Sequence, residues 1–187
     1  MVRIITVLGL AGSGKSTQSK LLAEKSGYKW LAMGDILRQN IHGELRQEML
    51  EGKILDQQEV INILEPYLML SDDSEREIVL DGFPRGVQQA EWLVGLHQAK
   101  RVQLEAVVHI LADEDIVKSR LMERGRQDDN ENAIKERFYE YEHAVRPIVK
   151  LFEKNKINII KVNGDQTVEA VHNKIVENLI TEGTTAV

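Results

Sequence analysis

The chain has 187 residues, no cysteine, a formal net charge of −6, and 42% hydrophobic and 29% charged residues. That length suits one domain around one sizeable core. The acidic balance argues against a nucleic-acid backbone as main partner, and the lack of cysteine rules out disulfides and thiolate metal sites.

Residues 4–8 form a β-branched run that predicts a strand buried on both faces. The run is too short for a signal peptide and passes straight into glycines. No apolar stretch reaches bilayer length, so a soluble cytoplasmic protein is expected, with no membrane partner. A helix is predicted over 16–25, a short strand over 28–31, and a mostly helical segment over 34–51 with a break at His42-Gly43. Asp56 should cap a helix over 56–70 that Pro66 disturbs. Residues 71–77 read as a loop. A third strand over 78–81 ends in a carboxylate. Then come a helix over 87–97, a strand over 105–111 and a helix over 113–124 entered through acids that suit its dipole. A long helix over 128–152 should kink at Pro147. A strand over 157–162, a helix over 167–180 and a frayed tail close the chain.

Strands alternating with helices predict right-handed crossovers. The expected fold class is α/β: a five-stranded parallel sheet with helices on both faces, the three-layer P-loop NTPase sandwich. Ligands bind such sheets beyond the carboxyl ends of the strands. The loops after strands one, three and four should therefore share one edge.

Gly9-Leu10-Ala11-Gly12-Ser13-Gly14-Lys15-Ser16 fits G-x-x-x-x-G-K-[ST] between a buried strand and a helix. Glycines let backbone N–H groups approach phosphate oxygens, and the helix points its positive end at the anion. Lys15 is expected on the β- and γ-phosphates and the Ser16 hydroxyl on Mg²⁺. A guanine-reading Asn-Lys-x-Asp is missing: Asn155-Lys156 and Asn173-Lys174 continue differently. Asp81-Gly82-Phe83-Pro84-Arg85 comes directly after the third strand. Asp81 is placed to hold a metal-bound water, and Arg85 leaves a rigid turn with a guanidinium suited to phosphate. Arg38, near the start of a helix, is a second candidate for the same anion.

In these stretches the sequence resembles the adenylate kinase family of nucleoside monophosphate kinases, over nearly the whole chain. The P-loop through Gln18, Gly34-Asp35-Ile36-Leu37-Arg38, Asp81 to Arg85 with Gln89-Ala90, and Arg120-Leu121-Met122-Glu123-Arg124-Gly125 are similar to its motifs in order. Arg126, Asp128-Asp129 and Arg137 match residues just past the family's lid. The resemblance implies one domain over 1–187, with an acceptor-binding insertion at about 34–64 and a minimal lid at about 124–128. It implies that Arg38 and Arg85 bind the acceptor phosphate, with Met33, Gly82 and Gln89 around the acceptor and Gln89 on its adenine. Lys15, Arg85, Arg124, Arg126 and Arg137 would surround the transferring group. Gly12, Ser13, Gly14, Lys15, Ser16, Thr17, Arg120 and Gly164 would bind ATP, the last two beside its base.

Spacing supports part of that set. Arg120 and Arg124 share a helix face, and Arg126 and Arg137 are eleven apart, close to three turns. Three features depart from the family. Ala32-Met33 replaces a Ser/Thr pair, Arg124-Gly125-Arg126 leaves almost no lid, and the stretch from Arg38 to Gly52 is short. The family's zinc-binding variant is excluded for lack of cysteine. Trp30 and Trp92 read as packing residues. The implied reaction is ATP + AMP to two ADP, with Mg²⁺ as cofactor, small-molecule nucleotides as partners, no nucleic acid, and a monomer as the working unit. The alternatives are a UMP/CMP or other monophosphate kinase, and a regulatory nucleotide-binding protein or an ATPase with a reduced lid.

Overall fold

The computed structural model describes residues 1–43, 46, 55–69, 77–124 and 131–181, and no side chain at 124, 131–133, 136, 137, 140 or 142. In chain order the elements are β1 (Val2–Gly9), α1 (Lys15–Ser26), β2 (Lys29–Ala32), α2 (Met33–Asn40), α3 (Gln57–Met69), β3 (Glu77–Asp81), α4 (Val87–Gln98), β4 (Val102–Leu111), α5 (Glu114–Arg124), α6 (Glu131–Lys154), β5 (Ile159–Asn163) and α7 (Val168–Thr181). The strands pair in parallel in the order β2-β3-β1-β4-β5. The expected parallel α/β sandwich is what forms.

Alternation of side chains along the central strands divides the core. Ile5, Val7, Val108 and Ile110 face α1 and α7, where Leu22, Val171, Ile175 and Leu179 are buried. Ile4, Leu8, Leu80 and Val107 face the other way, toward Leu64, Leu93, Ile148 and Phe152 of α3, α4 and α6. Burial of this kind is worth about 1.5–3 kcal/mol per large side chain, which is why the centres of β1 and β4 are mostly apolar.

Several expected boundaries move. Helix α2 starts at Met33 and stops at Asn40, short of the expected break at 42–43; residues 44, 45 and 47–54 lie outside the described ones. Asp56 caps α3 as expected, accepting from the Glu59 N–H at 3.0 Å. Pro66 and Pro147 do not interrupt α3 and α6. Leu64 and Leu68 flank the first, Ile148 and Phe152 come after the second, and all four are fully buried. Strand β4 starts at Val102, three residues early, because the register with β1 slips at Glu105, so that Ile4 pairs with Leu104 and Ile5 with Ala106. The bulged Glu105 lies 3.6 Å from Arg3, and burial pushes its carboxyl up. Strand β5 runs from Ile159 to Asn163, two residues later than expected at its start. The predicted loop over 71–77, the first residues of the long helix and the tail from 182 fall mainly outside the described residues. Among those described, no helix is long and apolar enough to cross a membrane.

His109 lies on β4 between Leu8 of β1 and Lys161 of β5. Burial, with a smaller contribution from the Lys161 charge, holds its pKa down at about 4 against 6.5 in the unfolded chain. The unfolded chain therefore takes up the proton first. The penalty for charging His109 in the fold is absent above about pH 6.5 and lowers stability as the pH falls to 4, by up to about 3 kcal/mol. His172, held down by burial and by Lys25, acts in the same sense, and Glu105 opposes it. In urea titrations between pH 4 and 7, His109→Phe is expected to show a visibly flatter fall in stability than the wild type. Parallel curves would exclude the assignment.

Candidate active site

The carboxyl ends of all five strands open on one edge. There β1 delivers Gly9 into the loop that leads to α1. Gly12 and Gly14 hold φ of 88° and 94°, a region strained for other residues. The loop closes on itself: Ser13 N–H donates to Leu10 O at 3.0 Å and Gln18 N–H to Gly14 O at 2.9 Å. Gly14 caps α1 without any side-chain hydrogen bond, and the first turn carries no acid. The positive end of the helix is thus left to an anion. Half-buried Lys15 opens this turn, with Ser16 and Thr17 exposed beside it. Ser13 Oγ is buried without a hydrogen-bond partner among the described residues.

Two more strand ends complete this cradle. The Gly164 N–H, just past β5, donates to Leu111 O of β4 at 2.6 Å, and Arg120 of α5 donates from Nη1 to Gly164 O at 3.0 Å. With Ser13, Gly14, Thr17, Gln18, Gln166 and Val168 these two line a recess of about 250 Å³. A wider recess of about 430 Å³ shares Thr17 and Val168 with it and runs over α1 to Trp30. Arg120 and Gly164, assigned together by resemblance, are therefore brought together beside the phosphate loop.

The second loop leaves β3, the neighbour of β1, with Val7 registered on Asp81. Asp81 is 5% exposed, and its Oδ1 is buried without a partner among the described residues. Gly82 turns at φ 75° and the Phe83–Pro84 peptide is cis. Phe83 is fully buried and meets Trp92 edge-on at 5.9 Å, a packing role as expected for that tryptophan. Arg85 donates from Nε to Gly82 O at 3.0 Å. Its own N–H donates to Gln89 Oε1 at 2.8 Å, so the glutamine that the resemblance places on a base also braces this loop.

Arg38, in the last turn of α2, is exposed and ion-paired to Asp35. Met33 is 1% exposed and packed in the apolar core that includes Leu31 and Ile36. Positions 124 and 137 lie on α5 and α6, but their side chains fall outside the described residues, as does Arg126. Sequence reasoning did not find the link from α3 to the second loop. Gln57 Oε1 accepts from the Gln88 N–H at 3.2 Å, and Gln88 Nε2 donates to Gln58 Oε1 at 3.0 Å. Its only signal was two glutamine pairs opening two helices. Sequence reasoning also left His109 without a partner, whereas its Nε2 sits 2.5 Å from the Tyr141 hydroxyl.

A family model described as adenylate kinase matches residues 7–157. Adenylate kinase isoenzyme 1 of Bos taurus is 32% identical over 187 residues, spanning 95% of this chain and 94% of its own length. The adenylate kinase of Rhodococcus erythropolis (strain PR4 / NBRC 100887) is 34% identical over 173 residues, spanning 90% and 94%. That of Prochlorococcus marinus (strain NATL1A) is 32% identical over 185 residues, spanning 96% and 100%. A match that starts inside β1, includes the loops after β1 and β3 and runs past α6 covers most of the fold, and the chain belongs to the adenylate kinase family.

Proposed function

We propose that this chain is a nucleoside monophosphate kinase that moves the γ-phosphoryl group of MgATP to AMP, giving two ADP. The observation that carries the reading is the pairing of two anion-directed loops on neighbouring strands. The uncapped start of α1 lies after β1, and the loop bearing Arg85 lies after β3, one strand away. Relatives named adenylate kinases, aligned over nine-tenths of the chain or more, support adenine on both sides. Gln89 supports it too: its Oε1 is engaged by Arg85, which leaves the Nε2 amide as the donor for a ring nitrogen of the acceptor base.

Placement suggests the roles. Lys15 and the backbone amides of Gly12 to Thr17 hold the donor phosphates, and Arg120 with Gly164 flanks the donor base. Arg85 and Arg38 hold the acceptor phosphate, with Gly82 and Met33 at the floor of its site. The resemblance, not placement, assigns Arg124, Arg126 and Arg137 to the transferring group. Ser16 and Asp81 suit Mg²⁺, since Asp81 keeps a buried carboxylate oxygen without a partner among the described residues at this edge. When bound, the ion would supply charge neutralisation to the donor phosphates, held by the Ser16 hydroxyl and, through water, by Asp81. The protein's own part is alignment and charge stabilisation, with no nucleophile needed. Segments 34–64 and 124–128 are the acceptor-binding insertion and the lid of a single domain, which works as a cytoplasmic monomer on small nucleotides.

ADP formation is measured with MgATP and AMP, dAMP, CMP, UMP, GMP or dTMP, beside a control lacking acceptor. AMP is expected to give the highest kcat/KM. A pyrimidine preference would move the acceptor assignment, and hydrolysis without acceptor would sink the transferase reading. Lys15→Met should cost about a thousandfold or more in kcat. Arg85→Ala should raise the acceptor KM at least about tenfold while leaving ATP binding within about threefold. An alanine Cβ at position 164 would meet Ser13 O at 2.8 Å and Ile110 Cγ2 at 2.6 Å. Gly164→Ala should therefore weaken ATP binding at least about tenfold by displacing the phosphate loop. Calorimetry showing unchanged affinity would contradict that arrangement.

A further inference from the structure

His109 is 8% exposed, and its Nδ1 is buried without a hydrogen-bond partner among the described residues. An imidazole with one nitrogen unsatisfied is a costly choice for a strand interior, and an apolar side chain would serve stability better there. The ring does make a 2.5 Å contact from Nε2 to the Tyr141 hydroxyl, its plane tilted 48° to the tyrosine ring. Lys161 alongside and the surrounding burial keep it neutral, so the contact is a neutral hydrogen bond. Tyr141 in turn packs on a satellite core of Leu10, Val117, Leu121 and Ile134. Leu10 is the second residue of the phosphate loop, Val117 and Leu121 belong to α5, and Ile134 to α6. This small core and the His109 bond are where the first half of α6 meets the donor site. The second half is anchored independently, through Ile148 and Phe152 in the large core. Position 137 lies about one helical turn before Tyr141 on α6.

We propose that His109, through its bond to Tyr141, is a positioning residue of phosphoryl transfer. It fixes the first half of α6 over the phosphate loop and, with it, the place from which Arg137 acts. The inference rests on the kinase reading above. Catalysis by alignment is sensitive to such placement, since a shift of about 1 Å can cost about a hundredfold.

Tyr141→Phe removes one oxygen and keeps the ring in the satellite core, so the fold should survive. Tyr141→Phe and His109→Phe are each expected to lower kcat at least about tenfold, with both KM values within about twofold. The double variant should be no worse than Tyr141→Phe alone, because the His109 bond is already gone there. His109→Gln, which restores a hydrogen-bonding group, should recover most of kcat. Amide hydrogen exchange in Tyr141→Phe should quicken over residues 134–141 and stay unchanged over 148–154. An active wild type whose kcat survives Tyr141→Phe, or a double variant whose losses multiply, would overturn the positioning role alone. A wild type without AMP-dependent turnover would instead overturn the transferase reading.

Discussion

Everything at the working edge depends on how closely three strand ends can converge. A Cβ on Gly9 would stand 2.6 Å from Ser13 Oγ and 2.9 Å from Ile110 O, and one on Gly164 would stand 2.8 Å from Ser13 O. Ile110 of β4 is wedged between these two glycines, and Ser13 touches both. The phosphate loop therefore rests directly on the backbone of β4 and on the turn after β5. Two glycines from nearly opposite ends of the chain thus set one geometry, and neither is needed for a positive φ. Gly12 and Gly14 answer a different demand, since only they take up left-handed backbone in the loop.

That close packing places polar groups where a dianionic or larger phosphate chain would satisfy them. Helix α1 starts without a side-chain cap or an acid, and Ser13 Oγ and Asp81 Oδ1 are buried without partners among the described residues. Orphaned groups of this sort normally cost about 1–3 kcal/mol each. They are tolerable where a ligand, its metal and its water complete the set. One acceptor-side arginine is parked cheaply. Arg38 holds an exposed ion pair with Asp35, a kind that adds little stability in water. A phosphate offering charge-assisted bonds can displace such a partner at small cost.

The phosphate loop and the alternation of apolar strands with helices were legible because each is a local pattern with one structural solution. Where the sequence misled, a tertiary effect outweighed a local one. Proline in a helix interior costs about 3 kcal/mol, yet α3 and α6 continue past theirs because burial of Leu68 and Phe152 offsets it. Strand β4 looked short because Glu105 breaks its apolar run, and the register slip that accommodates Glu105 cannot be seen without β1 beside it. Met33 is legible by position alone, and its packing against the apolar core cannot be seen without β2 and α3 around it. The His109–Tyr141 bond spans thirty-two positions and obeys no periodicity, so nothing in the sequence announced it.

The two substrates need fixed relative positions more than they need any reactive side chain. Adjacent strands supply that. Thr6 lies on β1, three residues before Gly9, and its hydroxyl reaches Leu80 O at 3.3 Å and also Phe83 O. One hydroxyl has one proton to give, so it donates to one carbonyl at a time, and both choices tie β1 to the acceptor loop. From the far side, Gln57 and Gln58 of α3 hold the start of α4. The loop after β3 is thus clamped between β1 and α3, about one strand spacing from the phosphate loop. In the kinase proposed above, a change of acceptor preference can then come from α2, α3 and the side chain at 89 without moving the loops after β1 and β3, because those loops are tied to each other through Thr6.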